Sequence, residues 1–135
     1  LILIDTSAWV EFLRGTDSDV CKEVYRLVDS EIAITDPISM KVLAGARNDR
    51  HLRELRGLLA RASLLKCESV DFDHAATLFR TCRKSGETVR RLTDCLIGAV
   101  AIRHELPILH ADGDFDALGR WTTLIIHSPQ LGPNR

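Results

Sequence analysis

The sequence predicts a three-layer α/β domain, a parallel sheet covered on both faces by helices. Short runs of apolar residues alternate with segments of helical periodicity, one of those helices is apolar almost all round, and 135 residues with 45% hydrophobic content suffice for one compact core. Short, fully apolar strands are what a sheet buried on both faces requires.

Leu1 to Ile4 is such a strand, and the Asp5-Thr6-Ser7 that follows offers side-chain caps to an amphipathic helix over about 8–14. In 19–30, Val20, Val24, Leu27 and Val28 stand at helical spacing, and Ile32-Ala33-Ile34 makes the second strand. Asp36-Pro37 reads as cap plus first helical residue of a helix running to Ala46. Leu52, Leu55, Leu58 and Leu59 mark the next helix, Leu64-Leu65 a third strand, and 72–85 a longer helix stopped by Gly86. A helix over 92–104, a fourth strand at Ile108-Leu109 and a fifth over 123–126 complete a five-stranded sheet. Residues 128–135, with two prolines and a glycine, read as a loose tail on a single domain.

The formal charge of −1 excludes a global positive field, so any nucleic-acid role must come from local charge. Arginines gather in two groups, Arg47, Arg50, Arg53, Arg56 and Arg61, then Arg80, Arg83, Arg90 and Arg91 with Lys84, and a planar guanidinium suits phosphate. Solvated helix faces explain such clusters equally well. Cys21, Cys67, Cys82 and Cys95 show no CxxC spacing and read as reduced, largely core residues, which points to a cytoplasmic protein. Neither a signal segment nor the roughly 18 apolar residues of a membrane span is expected. The histidines have no zinc spacing, and no phosphate-cradling glycine motif occurs.

In a parallel sheet the loops at the carboxyl ends of the strands line the ligand crevice. Asp5 directly follows the first strand, and Asp112 and Asp114 closely follow the fourth. Asp94 stands near the start of the helix whose other positions are apolar, so its carboxylate is expected at the entry end of a buried helix, where an unpaired charge is costly. Asp5 or Asp94 taken singly is explained as a helix cap. Several carboxylates converging on one sheet edge repel one another unless a cation sits among them, and clustered oxygen ligands select hard ions such as Mg²⁺ or Mn²⁺.

The run Ile2-Leu3-Ile4-Asp5-Thr6-Ser7-Ala8-Trp9, the segment Pro37 to Ala46, and Leu92-Thr93-Asp94-Cys95-Leu96-Ile97-Gly98-Ala99 followed by Ile108-Leu109-His110-Ala111-Asp112-Gly113-Asp114-Phe115 together resemble the PIN-domain nucleases, specifically VapC-type toxins of VapBC toxin–antitoxin systems. The match spans nearly the whole chain in order. The resemblance implies a PIN fold and RNA cleavage through Mg²⁺ or Mn²⁺ held by Asp5, Asp94 and Asp112, with Asp114 beside them. It also implies a homodimer, a VapB-type antitoxin over the groove, and a role for Ser7 in orienting a ligand or metal-bound water.

The chain departs from the pattern at position 41, ordinarily glutamate and here Lys41. Each unit-charge interaction at about 4 Å and an effective dielectric near 20 is on the order of 4 kcal/mol before relaxation, so metal affinity and catalysis are expected to fall, and the ammonium is expected to bridge Asp5 and Asp94. The competing reading is a non-catalytic module that binds RNA or antitoxin. A receiver or haloacid-dehalogenase-like phosphatase fits worse, because Asp5 is followed by Thr6 and Ser7 rather than by a second aspartate two positions on. Arg14, Arg47, Arg50, Arg90 and Arg91 are the expected RNA contacts.

Overall fold

The computed structural model describes residues 1–130; of the expected tail, residues 131–135 lie outside the described residues. Four strands form one wholly parallel sheet in the order β3-β2-β1-β4, with β1 at Ile2–Ile4, β2 at Ile32–Thr35, β3 at Ser63–Leu65 and β4 at Ile108–Leu109. The helices are α1 (Thr6–Arg14), α2 (Asp19–Leu27), α3 (Asp36–Ala44), α4 (Asp49–Leu59), α5 (Ser69–Lys84), α6 (Leu92–Arg103) and α7 (Gly113–Trp121). Two groups flank the sheet: α1 packs on α2 and α3, with α4 against α3, while α5, α6 and α7 pack on one another.

The expected fifth strand over 123–126 is reduced to a parallel bridge between Ile108 and Ile126. Its partner explains this. β4 is two residues long and follows Pro107, which has no N–H for the ladder, and the pairing amounts to Ile108 N–H on Ile125 O and His127 N–H on Ile108 O. α7 presses closely on this segment, because a Cβ on Gly119 would lie 2.8 Å from Ile126 Cγ1. A smaller difference falls at Asp36, which opens α3 as its first helical residue behind an N-cap at Thr35, and whose Oδ2 accepts from Cys67 N–H at 3.0 Å.

Helix α1 starts where the Asp5 carboxylate accepts the Ser7 N–H, and it stops at Gly15, whose φ of 60° is left-handed backbone that favours glycine. Helix α6 is buried from Asp94 through Ala101, as its all-round apolar sequence predicts. Cys82 and Cys95 are buried and Cys21 and Cys67 half-buried; all four are free thiols, and burial pushes Cys95 up to about 12. No helix among the described residues is long and apolar enough to cross a membrane.

The strand order fixes where a site can form. From β1 the chain moves to β2 and β3 on one side, then returns to place β4 on the other side of β1. The crevice of an open parallel sheet lies at such a switch point, here between the carboxyl ends of β1 and β4.

Candidate active site at the carboxyl edge of the sheet

A cleft of about 380 Å³ opens at this switch point, lined among others by Asp5, Ser7, Lys41, Arg91, Asp94 and Asp112. Four elements deliver them: Asp5 and Ser7 at the junction of β1 and α1, Lys41 on α3, Asp94 in the first turn of α6, and Asp112 in the loop after β4.

Ser7 ties the two strand ends together. Its hydroxyl donates to Asp5 Oδ2 at 2.6 Å and accepts the Ala111 N–H at 2.9 Å. Asp5 is 3% exposed, and its other oxygen, Oδ1, is buried without a hydrogen-bond partner. Asp94, 2% exposed, likewise leaves Oδ2 buried and unpartnered. Burial, a hydrogen bond shared with Asp114 and the charges of Asp5 and Asp112 push Asp94 up to about 7, with Lys41 pulling the other way. One oxygen from each of Asp94, Asp112 and Asp114 lies within 4.8 Å of the others, an arrangement able to hold a metal ion.

Asp114 is the best-served acid of the group. Its Oδ1 accepts from the N–H and Nε of Arg90, at 3.1 and 3.3 Å, and its Oδ2 accepts the Arg91 N–H at 3.2 Å. Burial raises its pKa, but the Arg90 N–H, the bond to Asp94, and the further bonds from Arg90 and Arg91 together hold it below the usual carboxylate range. Asp112 Oδ1 caps α7 through the Asp114 N–H and also accepts from an Arg90 guanidinium nitrogen, both at 3.0 Å. His110 fixes the same loop, its Nδ1 accepting the Asp112 N–H at 3.1 Å and its Nε2 standing 3.3 Å from Asp116.

The PIN domain model matches residues 2–120. The chain belongs to the PIN-domain family. Ribonuclease VapC11 of Mycobacterium tuberculosis is 47% identical to it over 128 residues, covering 92% of this chain and 96% of that protein, and a VapC ribonuclease of Mycobacterium bovis matches equally. The fold is shared with the toxin–antitoxin assembly VapBC2 from Rickettsia felis bound to a DNA fragment from its promoter, at a TM-score of 0.74 and 16% identity over 93% of this chain and 96% of that one. DNA-bound VapBC from Salmonella typhimurium gives a TM-score of 0.73 at 18% identity, with the same coverage of both chains.

Within this PIN domain the residues singled out from sequence divide. Asp5, Lys41, Asp94 and Asp112 line one cleft, and Asp114 touches Asp94 and Arg90 behind it. Lys41 does not bridge Asp5 and Asp94: its Nζ donates to Thr93 Oγ1 at 3.0 Å, and neither carboxylate lies within 4 Å of it as an ion pair. Thr93, one residue before Asp94, offers the nearer acceptor, and no pattern in the sequence marks it for that part. Arg90 sits on both Asp112 and Asp114, and Arg91 lies 3.7 Å from Asp112, so these two arginines face the acidic cluster of their own chain. Arg50 pairs with Glu54 one helical turn away, at 3.3 Å. Arg14 and Arg47 are exposed on a second cleft that adjoins the first.

Proposed function

We propose that this PIN domain is a toxin-type endoribonuclease in which Asp5, Asp94 and Asp112, with Asp114 completing the close-set group, hold Mg²⁺ or Mn²⁺, and that Lys41 leaves this form impaired. The observation that carries the reading is the pair of buried, unpartnered oxygens, Asp5 Oδ1 and Asp94 Oδ2, on one cleft. Desolvated carboxylate oxygens without a donor are costly unless a cation offsets them, and an all-oxygen set fits a hard divalent ion.

When bound, such an ion supplies charge stabilisation for phosphodiester cleavage and lowers the pKa of water. The rest falls to the chain itself. Ser7 holds Asp5 Oδ2 in place, while Oδ1 of the same carboxylate stays buried and without a donor. The backbone N–H groups of Arg90 and Arg91 fix Asp114, which in turn shares a hydrogen bond with Asp94. Asp94, pushed up to about 7 by burial and the neighbouring acids, sits near its midpoint at neutral pH, so a bound cation would favour its charged form. Lys41 on the same cleft would oppose a cation there through its own positive charge.

A VapB-type antitoxin over this cleft, supported by the VapBC assemblies that share the fold, and a homodimeric assembly complete the reading. The partly buried Lys41–Thr93 hydrogen bond favours one alternative, a PIN module that binds RNA or antitoxin without cleaving.

The test is Mn²⁺ calorimetry followed by cleavage of a structured RNA pool in Mg²⁺, for this chain and its Lys41→Glu variant. We expect the glutamate variant alone to bind Mn²⁺ and to cleave faster by at least on the order of a hundredfold, the part of a nominal swing of about 8 kcal/mol that survives relaxation and solvent screening. Absence of both binding and cleavage in both proteins would shift the reading to the non-catalytic module.

A further inference from the structure

Lys41 stands on the wall between two clefts. The acidic one lies to one side, and to the other lies a cleft of about 390 Å³ between α1, α3 and the start of α4, whose lining includes Arg14, Lys41, Arg47, His51, Val42 and Leu55. The two share Val10 and Lys41, so they adjoin along these residues. Their chemistry is opposite. The first carries Asp5, Glu11, Asp94 and Asp112, whereas no carboxylate lines the second.

We propose that Lys41 joins Arg14 and Arg47 in a phosphate-binding strip, so that this chain holds single-stranded RNA in the second cleft without a divalent ion. This rests on the reading of the domain as an RNA nuclease and deepens it. Lys41 lines both clefts, and its hydrogen bond to Thr93 holds the ammonium in place with no ion-pair partner among the described residues. Arg14 lies in the last turn of α1, and Arg47 follows α3, its N–H donating to His51 Nδ1 at 3.0 Å. Neither arginine has a carboxylate partner within 4 Å among the described residues, in contrast to Arg50, Arg90 and Arg91. Leu13, 43% exposed on this cleft, gives a base an apolar surface to rest on while the cations take the phosphates on either side. A phosphate in the first cleft, by contrast, meets several carboxylates. The glutamate of the family pattern would extend that repulsion to the junction, so Lys41 exchanges an ion site for RNA retention.

The experiment is fluorescence anisotropy of a short fluorescein-labelled single-stranded RNA in EDTA over a range of KCl. The proteins are this chain, Lys41→Arg, Lys41→Gln, Lys41→Glu, an Arg14→Gln/Arg47→Gln double variant, and Arg80→Gln as a surface control that lines neither cleft. Lys41→Gln is expected to weaken binding about tenfold, with Lys41→Glu weaker still and Lys41→Arg close to the parent. The slope of log K against log salt should shrink by about 0.7 for Lys41→Gln and about 1.4 for the double variant, one single-strand phosphate contact per cation removed. Lys41→Gln or the double variant binding like the Arg80→Gln control would overturn the proposal, as would displacement of the RNA by poly-glutamate at equal charge concentration, which would assign the cleft to an acidic peptide. Failure to bind in EDTA while Lys41→Glu still cleaves RNA in Mn²⁺ overturns this inference alone; failure of both removes the nuclease reading with it.

Discussion

Glu23 and Asp94 are equally buried acids on two helices of one small domain, 1% and 2% exposed, yet their pKa values move in opposite directions. Glu23 is lowered to about 2, first by the Arg26 guanidinium, which meets it through two hydrogen bonds at 2.8 and 2.9 Å, with burial opposing and His127 assisting. Asp94 is raised to about 7, first by burial and then by the other acids around it. Burial sets a cost in both places; the partners decide its sign. Asp71 falls on the side of Glu23, clasped by Arg103 at 2.8 and 2.9 Å and lowered by it. Glu23 and Asp71 are each supplied with an arginine by their own chain, whereas Asp94 keeps an oxygen without a partner.

The strongest test of that contrast is Glu23→Ala. It removes both Arg26 bonds and releases His127, which anchors the segment after the β4 bridge to α2, so we expect stability at pH 7 to fall by about 3 kcal/mol in urea unfolding. Because the folded pKa is depressed, the contribution of Glu23 is present above the unfolded value near 4.5 and is lost as pH falls from there toward 2. A loss as large at pH 2 as at pH 7 would show that packing, not the ion pair, holds this end.

Asp94→Asn should act in the reverse sense. A carboxyl raised from 3.8 to about 7 binds more protons folded than unfolded, so the metal-free protein loses stability as pH rises through that window, and the full penalty applies above 7. The nominal cost is about 4 kcal/mol at 1.36 per pKa unit, and relaxation and water access reduce it to about 2. The amide variant should therefore be more stable than the parent by about 2 kcal/mol at pH 8 and little different at pH 4. Equal stability of the two proteins at pH 8 would break the comparison.

Much of this contrast is legible in the sequence. Asp94 is the one charge in the interior of an otherwise apolar helix run, and Asp5 and Asp112 follow short apolar strands, so the convergence of acids on one edge needs only local pattern. Glu23 also shows itself: Val20, Glu23, Val24 and Leu27 share one helical stripe, which places an acid on a buried face. The partners are harder to read. His127 comes from the far end of the chain, and Lys41 meets Thr93 across two helices, contacts set by tertiary packing alone. Arg90 and Arg91 look like phosphate ligands from composition, yet the turn before α6 carries them to the start of α7, where Asp112 and Asp114 are already waiting. Residues 123–126 have the composition of a strand, but a two-residue β4 behind Pro107 offers too little edge to pair with.

Ser7 supplies the finest test, because it stands between the two classes of acid. Its hydroxyl is the only side-chain donor that Asp5 receives among the described residues, and it joins the end of β1 to the loop after β4. Ser7→Ala keeps the backbone N–H on Asp5 Oδ2 at 2.9 Å, so the cap of α1 survives and the expected loss is about 1 kcal/mol in urea unfolding. The greater consequence is positional. Without the hydroxyl, Asp5 Oδ2 no longer has a side-chain donor and the carboxylate is held less firmly, so in a Lys41→Glu background Mn²⁺ affinity should drop about tenfold, as it does when a partner that orients a metal ligand is removed. Unchanged Mn²⁺ affinity alongside the small stability loss would mean that Ser7 serves the strand junction only, and that the orientation of Asp5 comes from the backbone.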